Sequence, residues 1–360
     1  MKKVLLVTNY GSFDSAYSFW EQGIYPSNHL WGKIELEKQY NYKVDILPDL
    51  KSYKRIRKIG DLFKIAFLDR QIQMCLNAHK YDIVYTPFLN LVVLINLCKV
   101  FRLVRVPVLC ICHTRLRRDK SSFLKRIKGG IGKLKYVAID KILFLGEKLY
   151  QESLDYGIAR DRIGWINWGI DIAYYDKIRN KSTKLPRYAN NFVSTGKTFR
   201  DFDTVVKAFS KVPDKLAIFL PDNYSLPLSP NVQSLAEISV SYNSTLEMAE
   251  IIANGRALLI PLVQTDSFWG LTSLLEAIAL GKPTISTKNE YFYFDIEAEK
   301  VGLWVEKYDV DGWVKSVELL SANEAMLAEF ELHALELRKK YSMDQFADRL
   351  HKTFLAIIKK

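Results

Sequence analysis

The chain has 360 residues, of which 49% are hydrophobic and 26% are charged, and its formal net charge is +12. A chain of this length is too long to fold around one small hydrophobic core, so we expect a soluble globular protein of two domains. The longest apolar stretch, 88–100, is too short and too polar to cross a bilayer, and the start MKKVLLVTNY lacks the cleavage site of a signal peptide.

The first half of the chain alternates predicted strands with predicted helices. Apolar runs ending in Gly or Pro indicate buried parallel strands, and stretches with helical spacing of apolar residues indicate the helices between them. The predicted strands are 2–10, 42–47, 81–87, 106–113, 138–146 and 162–169, and the predicted helices are 29–40, 51–79, 89–101, 121–134 and 146–157.

The same alternation restarts after a polar, basic segment at 175–190, which is predicted to be a linker. The strands expected after it are 191–196, 215–221, 232–239, 256–262, 282–287 and one at 304–305, and the helices are 201–212, 245–254, 271–280, 311–320, 322–340 and 343–358. The last helix carries Phe346, Leu350 and Phe354 on one stripe.

This order of elements predicts two doubly wound, Rossmann-like α/β domains that face each other across a cleft. We expect an N-terminal domain at 1–174, a C-terminal domain at 191–340 and a final helix at 341–360. Ligands of such sheets bind at the carboxyl ends of the strands.

The charge is uneven along the chain. Between 102 and 135 there are eleven basic residues and one acidic residue, and the segment 51–67 interleaves Lys and Arg with Ile, Leu and Phe. Two interpretations stay open, a solvated basic face and a surface that meets anionic lipid head groups. Nucleic acid is not expected as a partner, since no recognised nucleic-acid motif is present. The four cysteines are expected to be reduced thiols of a cytoplasmic protein.

The stretch DSFWGLTSLLEAIALGKPTIS (266–286) contains the most informative acid, Glu276, in a mostly apolar helix bounded by Gly270 and Gly281. Thr272 lies four residues before Glu276, so both are on one helix face, roughly 6 Å apart along the axis. The helix start favours a phosphate, and a carboxylate one turn further can accept hydrogen bonds from a diol. A diphosphate followed by a ribose fits this spacing. The alternative is an exposed Glu on a surface helix.

GLTSLLEAIALGKPTI resembles the signature of the retaining GT-B glycosyltransferases of the family 4 type, also called glycosyl transferases group 1. INWGID (166–171), VSTGKTFRDFDTVVKAF (193–209), VGLWVEKYDVDGWVKSV, SNHLWGKIELEK and YSMDQFADRLHKTFLAI resemble further motifs of that family in the same order. The resemblance covers most of the chain. It implies the GT-B architecture, with an acceptor-side domain at 1–174, a nucleotide-sugar-binding domain at 191–340 and a terminal helix that crosses back to the first domain. It also implies a ribose-binding role for Glu276.

The resemblance also implies roles for other residues. Phe268 stands where the family often has a first glutamate, so Asp266 or Ser267 is expected near the sugar, together with Gly270, Leu271 and Thr272 around the donor. Lys197 and Arg200 stand in the loop that holds the diphosphate, and His113 ends a strand near the transferred sugar. The remaining candidates are Gly11 and Ser12 for the phosphates and His29 for the acceptor.

For His113, a packed core histidine is the alternative, and for Lys197 and Arg200 it is a pair of solvated charges. No Asp-x-Asp stands in the cleft segments, so no metal and no other cofactor is expected.

The expected function is transfer of a sugar, with retention, from a nucleotide-diphosphate sugar to a glycan or lipid-linked acceptor in cell-surface polysaccharide or lipopolysaccharide synthesis. The expected place is the cytoplasm, peripherally on the inner face of the membrane. A sugar-nucleotide epimerase on the same fold and a catalytically silent sugar-nucleotide- or membrane-binding module are the alternatives.

Overall fold

The structure, a computed structural model, describes residues 1–9, 13–48, 54–63, 65–116, 132, 134–181, 188–221, 223–225, 227–235 and 242–358. They form two compact units. The first consists of Met1–Ser18, Ser27–Trp168 and Met343–Lys360, and the second of Phe19–Pro26 and Gly169–Ser342.

Each unit contains one parallel sheet of six strands. The first sheet has the order β2-β1-β3-β4-β5-β6 and the second β12-β11-β10-β7-β8-β9. The strands are β1 (Lys2–Leu6), β2 (Tyr42–Ile46), β3 (Ile83–Thr86), β4 (Val108–Cys112), β5 (Lys141–Leu145), β6 (Ile163–Ile166), β7 (Phe192–Ser194), β8 (Leu216–Ile218), β9 (Val232–Ser234), β10 (Ala257–Ile260), β11 (Thr284–Thr287) and β12 (Gly302–Val305).

Most strand residues are buried because helices cover both faces of a parallel sheet. The helices are α1 (Phe13–Glu21), α2 (Lys33–Tyr40), α3 (Lys54–Leu62), α4 (Leu68–Asn77), α5 (Val93–Val100), α6 (Glu147–Ser153), α7 (Ile172–Asn180), α8 (Phe202–Phe209), α9 (Tyr242–Asn254), α10 (Leu271–Leu280), α11 (Val310–Ala322), α12 (Glu324–Leu337) and α13 (Met343–Ile358). The predicted doubly wound α/β fold is confirmed in both units.

The strand order sets where each unit can hold a ligand. In the second sheet β7 lies between β8 and β10, so the chain leaves β7 in one direction and later returns to its other side. Such a switch point opens a crevice at the carboxyl ends of β7 and β10. In the first sheet the equivalent point lies between β1 and β3.

The last helix, α13, belongs to the first unit, as the sequence predicted. Its stripe of Phe346, Leu350 and Phe354 is buried, and the helix packs on α2. Close approach is possible because Gly32, at the start of α2, has a φ of 84°, and a Cβ there would come within 3.2 Å of both Phe346 and Leu350.

Some predicted segments differ in the structure. The helix predicted at 29–40 begins only at Lys33, because Trp31 and Gly32 adopt left-handed φ values of 53° and 84°. The helix predicted at 121–134 lies outside the described residues except at 132 and 134.

The helix predicted over 51–79 is two helices, α3 and α4, because Phe67 adopts a left-handed φ of 52° and Gly60 lies directly against Leu68. The linker predicted at 175–190 begins inside α7, where the Asp171 side chain caps the helix by accepting from the Tyr174 N–H, and Tyr175 and Ile178 are buried. Residues 182–187 of that segment lie outside the described residues.

None of the helices in the described ranges combines the length and the apolar content that a membrane crossing requires.

Candidate functional site

Two loops meet at the switch point of the second sheet, one after β7 and one after β10. The Val263 N–H donates to the Phe199 carbonyl at 3.0 Å, and the Asp201 N–H donates to the Pro261 carbonyl at 3.2 Å. Phe199 has a φ of 51°, a left-handed backbone that costs a bulky residue on the order of 1–2 kcal/mol. These bonds fix the β7 loop beside the segment that leads into α10.

Arg200 is turned inward from that loop. Its guanidinium donates to the Ser273 hydroxyl at 3.1 Å and to the Thr198 carbonyl at 2.8 Å, and its Nε has no hydrogen-bond partner among the described residues. The group lies over Gly196, where a Cβ would come within 1.9 Å of the guanidinium. Burial lowers the pKa of Arg200 to about 10, and the nearby Glu276 opposes that shift. Arg200 is therefore a cation at neutral pH, held at the start of α10.

Glu276 is partly buried, one turn along α10 from Ser273. The Tyr175 hydroxyl donates to its carboxylate at 3.5 Å. Burial raises the pKa of Glu276 to about 7, while the Tyr175 hydrogen bond and the charge of Arg200 act in the opposite direction. The sequence left open that Glu276 is an exposed residue of a surface helix, and the structure shows instead a partly buried carboxylate.

The start of α10 offers backbone donors beside Arg200. Gly270 precedes the helix with a φ of 89° and supplies no capping side chain. The Leu271 N–H already donates to the Phe268 carbonyl at 3.0 Å. The next two amides, of Thr272 and Ser273, have no acceptor within an α-helix. Of the residues predicted to bind the sugar donor, Thr272 is exposed and Leu271 is buried.

The buried side chain of Asn289 fixes the loop 266–270 through two hydrogen bonds. Its side-chain amide donates to the carbonyls of Ser267 and Trp269, at 2.9 and 3.0 Å. Asp266 is exposed and accepts from the Trp269 indole at 3.3 Å. Gly270 cannot be replaced without strain, since its Cβ would lie 2.6 Å from Ile260. Asp266 and Ser267 thus lie on a loop of defined shape next to the helix start.

Lys197 and Arg200 do not converge. The Lys197 ammonium lies 3.7 Å from the centre of the Phe219 ring, which follows β8, whereas Arg200 reaches toward α10 on the β10 side. An exposed cation–π contact contributes only about 0.5–1 kcal/mol, so a phosphate can compete for this lysine.

In the first unit, His113 follows β4 at the carboxyl edge of the sheet. Its Nε2 bonds the Pro87 carbonyl at 2.7 Å, which requires the proton on Nε2 and leaves Nδ1 as an acceptor. The ring stacks on Phe88 and meets Trp31 edge-on, with centroids 5.2 and 5.4 Å apart. Burial lowers the pKa of His113, so it is neutral at pH 7.

His29 lies in a short 3-10 turn, Ser27–Leu30, with its ring edge-on to Trp168 at 5.3 Å. Burial lowers the pKa of His29 to about 4. The predicted phosphate-contacting residues Gly11 and Ser12 lie outside the described residues.

Three residues of the second unit's site were not predicted from the sequence: Ser273, Tyr175 and Asn289. Ser273 had a signal, since it stands three residues before Glu276 and shares its helix face. Tyr175 and Asn289 had none, because their contacts join segments that are more than 20 residues apart.

Within the described part of the chain, no group of three or more His, Cys, Asp or Glu side chains is arranged to hold a metal ion. The donors gathered at the start of α10 are a guanidinium, backbone amides and a hydroxyl. These groups suit an anionic ligand.

Comparisons with known proteins agree on the fold. No family model matches the chain, and no curated protein matches it. Among solved structures, the Anabaena protein HepE in complex with UDP-glucose is similar with a TM-score of 0.66 and 14% identity, over 99% of this chain and 100% of that one. A glycosyltransferase from Rickettsia africae is similar with a TM-score of 0.63 and 14% identity, over 100% and 99%.

A third similar structure is assigned as a UDP-N-acetylglucosamine 2-epimerase from Listeria monocytogenes, with a TM-score of 0.57 and 14% identity over 97% of this chain and 94% of that one. At such identities the similarity concerns the fold alone. Two Rossmann-like α/β units with parallel six-stranded sheets, and a last helix that returns to the first unit, give this chain the GT-B fold.

Proposed function

We propose that the protein is a retaining glycosyltransferase of the family 4 type that takes its sugar from a nucleotide-diphosphate donor. The observation that carries the proposal is the group formed by Arg200, Ser273 and Glu276 at the start of α10, with Tyr175 behind the carboxylate. It combines a fixed cation, helix-start amides and a hydrogen-bond acceptor within one helical turn.

In this proposal the diphosphate binds the amides of Thr272 and Ser273 and the guanidinium of Arg200, while the ribose diol donates to Glu276. A positive helix end and a bidentate donor both favour phosphate oxygens. The nucleoside diphosphate leaves with extra negative charge, so Arg200 and a released Lys197 stabilise the transition state without a metal. The sugar then lies along the loop that carries Asp266, Ser267 and Gly270.

We propose roles for four residues of the first unit, as the resemblance implies. His113 keeps Nδ1 as an acceptor for a sugar hydroxyl, since Nε2 donates to Pro87. Gly11 and Ser12 are proposed to contact the phosphates and His29 to contact the acceptor. Attack comes from the face that the leaving group departs from, so the configuration at the anomeric carbon is retained. The protein contributes orientation and charge stabilisation rather than a nucleophile.

We further propose that the acceptor is a glycan or a lipid-linked sugar of cell-surface polysaccharide or lipopolysaccharide synthesis. The basic segments of the first unit favour an acceptor at an anionic surface. A cytoplasmic location suits the four cysteines, all free thiols.

Epimerisation of a sugar nucleotide is the second candidate, favoured by the similarity to the Listeria protein. It needs acids and bases that remove and return a proton on the sugar. In the described part of the second unit, Glu276 is the carboxylate that burial brings to a pKa near neutrality, and the proposal assigns it to ribose.

One experiment separates these functions. A thermal-shift screen of UDP, GDP and ADP sugars identifies the donor, because a ligand of the folded state raises the unfolding temperature. The labelled donor is then incubated with membrane extract as the acceptor source. Labelled glycan or lipid supports the transferase, epimerised donor supports the alternative, and binding with neither product indicates a silent binding module.

A further inference from the structure

Two aromatic side chains lie together at the switch point of the second sheet. The rings of Phe199, in the loop after β7, and Trp269, in the loop before α10, meet edge-on with centroids 4.5 Å apart. Phe199 is 38% exposed and Trp269 is half-buried. This aromatic pair stands next to Arg200, which follows Phe199 in the chain, and next to Gly270, which follows Trp269.

Hydrogen bonds fix the backbone on both sides of the aromatic pair. The Phe199 carbonyl accepts from the Val263 N–H at 3.0 Å, and the Trp269 carbonyl accepts from the Asn289 side chain at 3.0 Å. The Trp269 indole also donates to the Asp266 carboxylate at 3.3 Å. The protein itself therefore holds the two rings in place, with a carboxylate at the edge of the indole.

The backbone of Phe199 is unfavourable for an aromatic residue. Its φ of 51° lies in the left-handed region, where glycine is unstrained and a bulky side chain is not. Because the ring stays 38% exposed, it recovers only part of the free energy that burial of an aromatic side chain contributes to folding. Strain of this kind is typical of residues that contact a ligand, so the ring has a use beyond the fold.

Tyr308 shows that strain alone does not identify a binding residue. It has a φ of 61° and is 62% exposed, yet it follows β12, which β11 separates from β10. Phe199 differs from it in position, since its ring contacts Trp269 at the loop that leads into α10. Tyr308 is therefore a matched control, an exposed aromatic residue with the same backbone conformation away from the site.

The order of groups along a nucleotide-diphosphate sugar determines which of them meets the aromatic pair. In the proposed function the ribose binds Glu276, and the diphosphate binds one turn earlier, at the start of α10. The sugar is attached to the other end of the diphosphate, so it lies beyond the helix start, beside the loop that carries Trp269. The nucleobase is attached to the ribose and lies on the opposite side.

We propose, on the basis of the proposed function, that Phe199 and Trp269 pack against a C–H face of the transferred sugar and so select the donor by its sugar. A pyranose ring presents C–H groups on its faces, and aromatic rings attract such groups. The Asp266 carboxylate at the indole edge accepts from a hydroxyl on the rim of the same sugar. Sites for small ligands combine aromatic surface with a few polar groups in this way.

The test measures two dissociation constants of the full chain by titration calorimetry. One is that of the nucleotide sugar selected by the thermal-shift screen of UDP, GDP and ADP sugars, and the other is that of the matching UDP, GDP or ADP. Trp269→Ala should weaken binding of the nucleotide sugar about fivefold or more and leave binding of the nucleoside diphosphate unchanged, because the latter carries no sugar to contact the ring. Trp269→Phe should restore much of the lost affinity, since it keeps an aromatic ring.

Two substitutions of Phe199 separate a binding role from a structural one. Phe199→Gly and Phe199→Ala both remove the ring, but only glycine adopts the left-handed backbone without strain. The glycine variant should therefore unfold at a higher temperature than the alanine variant, whereas both should bind the nucleotide sugar severalfold more weakly than the wild type. Tyr308→Ala should bind both ligands like the wild type.

Wild-type affinity for the nucleotide sugar in Trp269→Ala and Phe199→Gly would overturn the proposal. An equal loss of affinity for the nucleotide sugar and for the nucleoside diphosphate would also overturn it and leave the proposed function standing, since the rings would then contact the nucleotide instead of the sugar. A wild-type protein that binds neither ligand would contradict the proposed function, and the sugar contact with it.

Discussion

Glu276→Gln removes a carboxylate whose pKa is raised by burial to about 7. The effect of this substitution on donor binding should therefore depend on pH. The pKa of Glu276 is raised from 4.5 to about 7. About one tenth of the groups are then ionised at pH 6 and about nine tenths at pH 8. If the ionised carboxylate accepts the ribose hydroxyls, the wild type should bind the donor several times more tightly at pH 8 than at pH 6.

The variant should behave differently at the two pH values. At pH 6 the wild-type side chain is mostly neutral, so glutamine should bind the donor about as well. At pH 8 the variant should bind about tenfold more weakly, because a hydrogen bond to a charged group is replaced by one to a neutral group. Titration calorimetry with the intact nucleotide sugar suits this test, since its two phosphates carry no proton that titrates in this range.

Stability gives a second measurement without any ligand. Between pH 4.5 and about 7 the folded state holds a proton that the unfolded state has lost, so raising the pH through this window destabilises the wild type. The difference between a pKa of 4.5 in the unfolded state and about 7 in the folded state corresponds to about 3 kcal/mol in the free energy of unfolding. Glu276→Gln carries no such charge, so its stability relative to the wild type should rise by up to this amount between pH 5 and pH 8 in urea unfolding.

A donor affinity that stays flat from pH 6 to pH 8 in both proteins would refute the ribose role. If the difference in the free energy of unfolding between the wild type and Glu276→Gln does not change with pH, the raised pKa of the Glu276 carboxylate is wrong.

Three further predictions concern the neighbours of Glu276. Tyr175→Phe removes the hydroxyl that lowers the Glu276 pKa, so the midpoint of donor binding should move to higher pH; an unchanged midpoint would contradict the hydrogen bond. Arg200→Ala should reduce kcat by about tenfold or more, Ser273→Ala should reduce it less, and the surface control Lys207→Ala should leave it unchanged; equal rates for Arg200→Ala and the control would remove Arg200 from the leaving-group site. EDTA should leave activity largely unchanged, and inhibition reversed by Mg²⁺ or Mn²⁺ would assign the leaving-group charge to a metal instead.

Much of the fold follows from local patterns in the sequence. Apolar strand runs alternate with amphipathic helices, and this alternation implies parallel sheets whatever the detail of the loops. The helix around Glu276 was predicted with its bounding residues, Gly270 and Gly281, because glycine marks both ends. The buried stripe of Phe346, Leu350 and Phe354 was equally visible as a helical repeat.

The rest depends on contacts that no local pattern contains. The break between α3 and α4 comes from the close approach of Gly60 to Leu68 and from the left-handed Phe67, which periodicity did not reveal. Lys197 and Arg200 look like a pair in the sequence, yet their side chains turn to opposite neighbours of β7. Tyr175 reaches Glu276 across 101 positions of the chain, so only the folded structure brings them together.

A crystal structure of the protein with the nucleotide-diphosphate sugar selected by thermal shift tests the proposed donor contacts at the start of α10 most directly. We expect ribose hydroxyls within hydrogen-bond distance of the Glu276 carboxylate, and diphosphate oxygens at Arg200 and at the amides of Thr272 and Ser273. A nucleotide bound away from the start of α10, or one whose ribose makes no contact with Glu276, would contradict this expectation.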